Sequence, residues 1–170
     1  MPLHGDDGGF MLIRNATMAD LSAIAEVERR CFPVKEAATE EEFRERLAAY
    51  ADCFWLLFDG GRLVSFIDGM ATDEADLRDE MYADASLHKG NGRWQMIFGL
   101  NTLPEFRRRG YAALLVRTLT EAARERGKLG VVLTCKEKLI PYYASLGFEN
   151  EGLSSSTHGD VAWYQMRLRF

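Results

Sequence analysis

The chain reads as one α/β (α+β) domain, a mixed sheet with helices packed against it, in the approximate order βααβββαβαββ. Three observations predict this. Apolar residues recur at helical spacing in three segments, opening at Thr17, Thr39 and Tyr111. Two β-rich runs flank the turn Asp59-Gly60-Gly61, which marks a hairpin. From Arg93 onward, β-rich and helical segments alternate as far as Phe148.

Residues 1–9 are polar and glycine-rich and are expected to be a flexible tail, with the domain occupying residues 10–170. Phe10–Arg14 reads as the first strand. Thr17 and Asp20 make a helix-start pattern ahead of Leu21, Ile24, Ala25 and Val27, and Pro33 stops that helix. A second helix opens near Thr39, with Glu40, Glu41 and Glu42 in the turn where negative charge is favourable and Phe43 and Leu47 as its apolar stripe. Cys53–Phe58 and Arg62–Met70 are the hairpin strands. Ala71–Gly92 is acidic and irregular and reads as a loop with a helical turn. Arg93–Leu103 reads as one long strand, closed by Pro104.

Tyr111–Arg126 is an amphipathic helix ended by Gly127. Val131–Thr134 is a short, mostly apolar strand of the kind buried on both faces. Pro141–Leu146 is a short helix that starts on proline and stops at Gly147. Phe148–Leu153 and Val161–Phe170 complete the strands. No repeat, linker or low-complexity segment interrupts this order.

Composition narrows the function. The 170 residues carry a net charge of −5, which argues against broad nucleic-acid binding. Cys31, Cys53 and Cys135 are odd in number and widely spaced, so they give neither a disulfide framework nor a CxxC metal pair, and no metal is expected. There is no signal-peptide pattern, and runs such as Phe54–Phe58 are far too short to span a bilayer. A cytoplasmic protein without membrane contacts is expected.

Against this acidic background stands Arg107-Arg108-Arg109-Gly110-Tyr111-Ala112, ahead of the apolar run Ala113–Val116. Helix starts expose backbone N–H groups and carry partial positive charge, so they hold phosphates readily. Neither GxxxxGK[ST] nor a strand-linked GxGxxG occurs. Taken alone, the cluster fits either a ligand loop or a solvated cationic patch. A second group is the strand Val131–Cys135 followed by the helix with Tyr142 and Tyr143; a tyrosine hydroxyl can protonate a leaving group. Both tyrosines align with Leu146 at helical spacing, so spacing does not choose between them, and either could be core.

These two blocks, in this order, resemble the GNAT superfamily of acyl-CoA-dependent N-acetyltransferases. The phosphate motif [RQ]xxGx[GA] is matched by Arg107, Gly110 and Ala112, and the order of elements agrees from Phe10 to the C-terminus. Within the superfamily the chain is most similar to the arylalkylamine N-acetyltransferases and their bacterial relatives. The segments that carry this are Glu28–Phe32, Gly61–Gly69, Phe106–Gly110, Leu133–Cys135, Leu139–Tyr143 and Gly147-Phe148.

The resemblance implies a mostly antiparallel sheet of six to seven strands and acetyl-CoA as co-substrate. It implies that Leu100, Asn101 and Thr102 pair through their backbone with the pantetheine arm. Arg107, Arg108, Arg109, Gly110, Tyr111, Ala112 and Ala113 would cradle the pyrophosphate. Tyr143 would lie by the cofactor sulfur as general acid. Phe32 and Pro33, beside Cys31, fall in the mobile acceptor loop, and Phe98 bounds the acceptor site. The acceptor expected is a small primary amine, and a homodimer is compatible with the family. Acetylation of protein lysines or N-termini, and acyl-CoA binding without turnover, are the rival readings.

One position departs from the pattern. The animal arylalkylamine enzymes place two proton-relaying histidines where this chain has Met96 and Phe98, neither of which can take a proton. Substitutes are few. His88 and His158 are expected in solvated loops, Glu28 as an exposed helical charge, and Asp68 on a strand face that parity does not fix. The acids between Asp73 and Asp84 are expected on a solvated face, or else to draw a cationic amine toward the entrance.

Overall fold

The computed structural model describes residues 3–4 and 10–170, so most of the expected tail lies outside the described residues. Leu3–His4 form a short strand, β1, that pairs antiparallel with β2 (Phe10–Asn15). Two compact units divide the chain: the first holds the residues up to Asp68 and Gly99–Leu119, the second Gly69–Phe98 and Thr120–Phe170.

In the first unit the expected caps form. Asp20 accepts from the Thr17 backbone N–H at 2.8 Å and opens the turn that leads into α1 (Leu21–Cys31). Thr39 accepts from the Glu42 N–H while Glu42 accepts from Thr39, a reciprocal box that starts α2 (Glu40–Tyr50). Pro33 follows the end of α1, as the sequence requires. The hairpin is β3 (Phe54–Asp59) and β4 (Arg62–Asp68). With β7 (Gly99–Thr102) they make an antiparallel sheet in the order β1-β2-β3-β4-β7. Phe43 of α2 meets Phe54 and Phe66 edge-on, with centroids 6.3 and 5.8 Å away, and is fully buried. Burying a side chain of that size contributes about 1.5–3 kcal/mol. Beneath it, Arg46 and Asp68 form a buried ion pair at 3.0 Å.

The second unit holds a sheet in the order β5-β6-β8-β10-β9. Its strands are β5 (Ala71–Thr72), β6 (Trp94–Ile97), β8 (Gly130–Cys135), β9 (Glu149–Leu153) and β10 (Tyr164–Arg169). Only β6–β8 run parallel. Two short helices, α3 (Asp79–Ala83) and α5 (Ile140–Ser145), belong to this unit. The helix α4 (Tyr111–Glu125) begins in the first unit's residues and ends in the second's, close to its expected bounds.

Three expectations are corrected. The long strand 93–103 is two strands, β6 and β7, in different sheets and broken at Phe98. The mixed, mostly antiparallel α/β fold is as expected, but its strands form two five-stranded sheets rather than one of six to seven. The cause is visible in the second unit. A Cβ on Gly69 would stand 1.9 Å from the Met96 carbonyl oxygen, so the backbones touch there. The buried Gln95 amide donates to the carbonyls of Gly69 and Met96, at 2.8 and 2.9 Å, supplying partners that a strand ladder would otherwise give. Finally, the Ala71–Gly92 loop contains β5 and α3.

Candidate active site

In the first unit, the stretch from Pro104 to Ala113 leaves β7 and turns into α4. Arg108 has φ +66° and Gly110 has φ +82°, both left-handed. A left-handed arginine costs about 1–2 kcal/mol, so it marks a constrained loop. A Cβ added at Gly110 would meet nothing within 4 Å, so the loop opens onto free space there. The first hydrogen bond of the helix runs from the Leu114 N–H to the Gly110 carbonyl. The N–H groups of Tyr111, Ala112 and Ala113 therefore precede the helical ladder and are available to an anion.

The three arginines differ. The Arg107 side chain turns back, its Nε donating to the Thr102 carbonyl at 3.1 Å. Arg109 lies over the Phe106 ring and 3.7 Å from Asp59. Arg108, like Arg107, is exposed and joins no ion pair among the described residues. Tyr111 spends its hydroxyl on Asp59, at 2.8 Å, which pins the helix start to β3 and leaves only its backbone for a ligand. Glu105, next to the arginines in sequence, is paired with Arg30 and Arg62, and the Arg30 guanidinium holds its carboxyl below the ordinary range.

Leu100, Asn101 and Thr102 lie in β7, the last strand of its sheet, paired on one side with β4. The other edge is the one a peptide-like arm could join. Their side chains are already engaged. Asn101 donates to Glu28 at 2.5 Å, and the Thr102 hydroxyl sits 2.8 Å from Ser65. The Cys31 thiol donates to the Thr102 carbonyl. Phe32 is half-buried and Pro33 exposed, just past the end of α1.

Glu28 is not the exposed charge expected; it is 6% exposed. Its two oxygens accept from the Ala38 N–H at 2.8 Å and from Asn101, fastening the far end of the Phe32–Ala38 segment to β7. Burial raises its carboxyl above the ordinary range. Asp68 is likewise buried, paired with Arg46 and raised by burial. Neither has the access a base needs. The stripe Leu21, Ile24, Val27 predicted the buried face of α1, and Glu28 follows directly on it, a signal that was available.

In the second unit, α5 places the two tyrosines differently. Tyr143 is buried and Tyr142 exposed. The Tyr143 ring meets Tyr142 and Phe148 edge-on, at 5.2 and 6.0 Å, and its carbonyl accepts from both Leu146 and Phe148, which fixes the residue where the helix ends. Burial holds its hydroxyl well above the usual phenol range, with the neighbouring Cys135, Tyr142 and Tyr82 pushing the same way. The same burial lifts the Cys135 thiol to about 11. Met96 is fully buried, while Phe98 is half-buried, its ring 4.6 Å from that of Tyr82.

Tyr82 was not singled out by sequence reasoning, because a single short helix within an acidic stretch has no periodicity to read. Its hydroxyl lies 3.3 Å from that of Thr134 on β8, and its ring stacks against His158. His88 is not a solvated loop residue: its Nδ1 accepts from the Ala71 N–H. The acids lie on an exposed face, as expected, and several are paired there: Asp73 with Lys89, Glu74 with Arg78 and Asp76 with Arg167, while Asp79 accepts from Ser156 and Thr157. Among the described residues, no group of three or more His, Cys, Asp or Glu could hold a metal ion. No helix among them is long and apolar enough to cross a membrane.

The fold is a mixed α/β domain, and a helix start of this kind suits a phosphorylated ligand. The sequence model of the Acetyltransferase (GNAT) family matches residues 21–148, and the chain belongs to that family. It is an N-acetyltransferase with an acyl-CoA as donor. The chain is 27% identical over 158 residues to serotonin N-acetyltransferase of Mesocricetus auratus, covering 91% of this chain and 75% of that one. In fold it is similar to the loading GNATL domain of CurA from Lyngbya majuscula, with TM-score 0.82 at 15% identity over 94% of this chain and 97% of that one. It is also similar to the GphF GNAT-like decarboxylase in complex with isobutyryl-CoA, with TM-score 0.81 at 22% identity over 93% and 98%.

Proposed function

We propose that residues 10–170 work as one catalytic domain that moves an acetyl group from acetyl-CoA to a small primary amine by direct attack. The observation that carries the donor side is the helix start with left-handed Arg108 and Gly110, unladdered N–H groups and open space at Gly110. In this reading Arg107–Ala113 take the pyrophosphate through backbone and guanidinium groups, and the outer edge of Leu100–Thr102 pairs with the pantetheine amides. Phe32, Pro33 and Phe98 bound the acceptor. The acetyl thioester supplies an activated carbonyl, and no covalent enzyme intermediate is needed once the amine is held in line.

Tyr143 is the general acid. As the amine nitrogen bonds to the carbonyl carbon, the carbon–sulfur bond breaks and the sulfur takes the Tyr143 proton. Burial keeps that proton on the phenol across the working pH range, so the acid is always loaded. A thiol's ordinary pKa of about 8.5 lies below that of the phenol, so the transfer is favourable only where the desolvation that raises Tyr143 also raises the departing thiolate, as it raises the neighbouring Cys135 thiol.

The small-amine acceptor is supported by the likeness to a serotonin N-acetyltransferase. The test is thiol release from acetyl-CoA with 2-phenylethylamine, 1,4-diaminobutane and a short peptide with an unblocked N-terminus. Release with either small amine and not with the peptide is expected. Preference for the peptide reassigns the acceptor to protein, and CoA binding without release from any amine makes the chain a binding module.

A further inference from the structure

The amine must lose a proton, and the positions expected to relay it, Met96 and Phe98, hold no titratable group. The second unit offers another. Asp79, at the start of α3, accepts from the Ser156 hydroxyl at 2.5 Å and the Thr157 N–H at 3.1 Å. One turn later on the same helix, Tyr82 lies parallel to the His158 ring, with centroids 6.0 Å apart and planes 7° apart. The Trp163 indole N–H donates to the His158 carbonyl at 2.6 Å, and its ring flanks the imidazole at 6.2 Å. An exposed loop histidine is thus held by its backbone on one side and its ring on the other. Tyr82 then leads from it toward the chemistry: it meets Phe98, reaches the Thr134 hydroxyl, and is felt electrostatically by Tyr143.

We propose that His158 is the proton acceptor for the amine in this chain, with Tyr82 and Asp79 as positioning residues. The inference rests on the acetyl-transfer reading above. Histidine is the side chain suited to exchange a proton near neutrality. The ammonium has no lone pair, so one of its protons first passes to the imidazole, directly or through one water. The freed nitrogen then bonds to the acetyl carbon as the carbon–sulfur bond breaks, and its second proton leaves to solvent as the amide forms. The leaving sulfur receives the Tyr143 proton. Solvent then takes the proton from His158 and reloads Tyr143, so the cycle closes without a further reactant. The charged and titratable groups on the segments that pack against the His158 loop are Tyr82, against the ring itself, Asp79, bound to Ser156 and Thr157, Asp160 two residues on, and Lys136, whose ammonium lies 5.9 Å over the Trp163 ring.

The test is the pH–rate profile with acetyl-CoA and whichever panel amine the wild type acetylates fastest, for wild type, His158→Gln and Asp79→Asn. His158→Gln should lower kcat/KM for the amine by about 10²-fold at neutral pH. The deficit should shrink as the pH rises and the amine deprotonates in solution, while thermal stabilisation by CoA stays at the wild-type value. Asp79→Asn leaves the imidazole in place, so it should lower the rate several-fold and keep the acidic limb of the profile. An unchanged limb and rate in His158→Gln overturns the proposal while leaving acetyl transfer intact. No thiol release by the wild type with any amine overturns the acetyl-transfer reading and this inference together.

Discussion

The stretch Arg107–Ala113 and the cluster around Tyr143 solve opposite problems. The first is exposed, cationic and made largely of backbone; its side chains are divided among Thr102, Asp59 and solvent. The second is aromatic and largely uncharged, with Tyr143 buried and its hydroxyl kept protonated by that burial. Phosphate arrives with its own charge and needs only donors and cations, which tolerate water. A proton handed to a leaving thiolate needs a group that water cannot level. The donor side should therefore fail when backbone geometry fails, and the chemical side when one atom is removed.

The largest effect expected breaks the loop. Arg108→Glu with Gly110→Val places a like charge before the phosphates and a β-branched residue at φ +82°. Thermal stabilisation by CoA should vanish, with the protein still folded by circular dichroism. Retained stabilisation would place the phosphates elsewhere. Next is the single atom: Tyr143→Phe should lower kcat by about 10²- to 10⁴-fold and change CoA affinity little. Equal losses in both would make Tyr143 a packing residue.

The contrast also explains what could be read from the sequence. The loop is contiguous, so Arg107, Gly110 and Ala112 announced it within six residues. The helices were legible because their caps and stripes are local, as Thr39 with Glu42 and Phe43 with Leu47 show. The cluster around Tyr82 and Tyr143 draws on residues 82, 98, 134, 143 and 158, and no spacing rule joins them. The break at Phe98 was hidden for a related reason. Trp94–Leu103 has strand composition throughout, and the close contact at Gly69 that splits it comes from a distant segment.

A third prediction probes the ionic side of the contrast. Glu28 accepts two hydrogen bonds while buried, and burial raises its pKa above the unfolded value. A carboxyl raised on folding adds stability that is complete below the unfolded pKa and lost as the pH rises through the folded one. Glu28→Gln removes that dependence and turns a donor toward a donor, costing about 1–3 kcal/mol. In urea titrations the gap between wild type and variant should be widest in acid and narrow toward neutrality. A gap that is constant or widens with pH would show that Glu28 is not raised.

The smallest effect expected separates the arginines. Arg109 shares Asp59 with the Tyr111 hydroxyl, and its ion pair is 3.7 Å long with the arginine side chain 44% exposed. Such a pair is worth about 0–1 kcal/mol, so Arg109→Ala should shift the melting temperature by no more than about 4 °C. Asp59 keeps its Tyr111 partner, so the helix start stays in place. What changes is one cation near the phosphates, but that cation is already partly neutralised by Asp59. Arg108 has no such counter-charge and should contribute more. CoA affinity should fall several-fold in Arg109→Ala and further in Arg108→Ala, both deficits shrinking as salt is added. The reverse order would mean that Arg109 leaves Asp59 when the donor binds, making Asp59 a counter-ion that the phosphates displace.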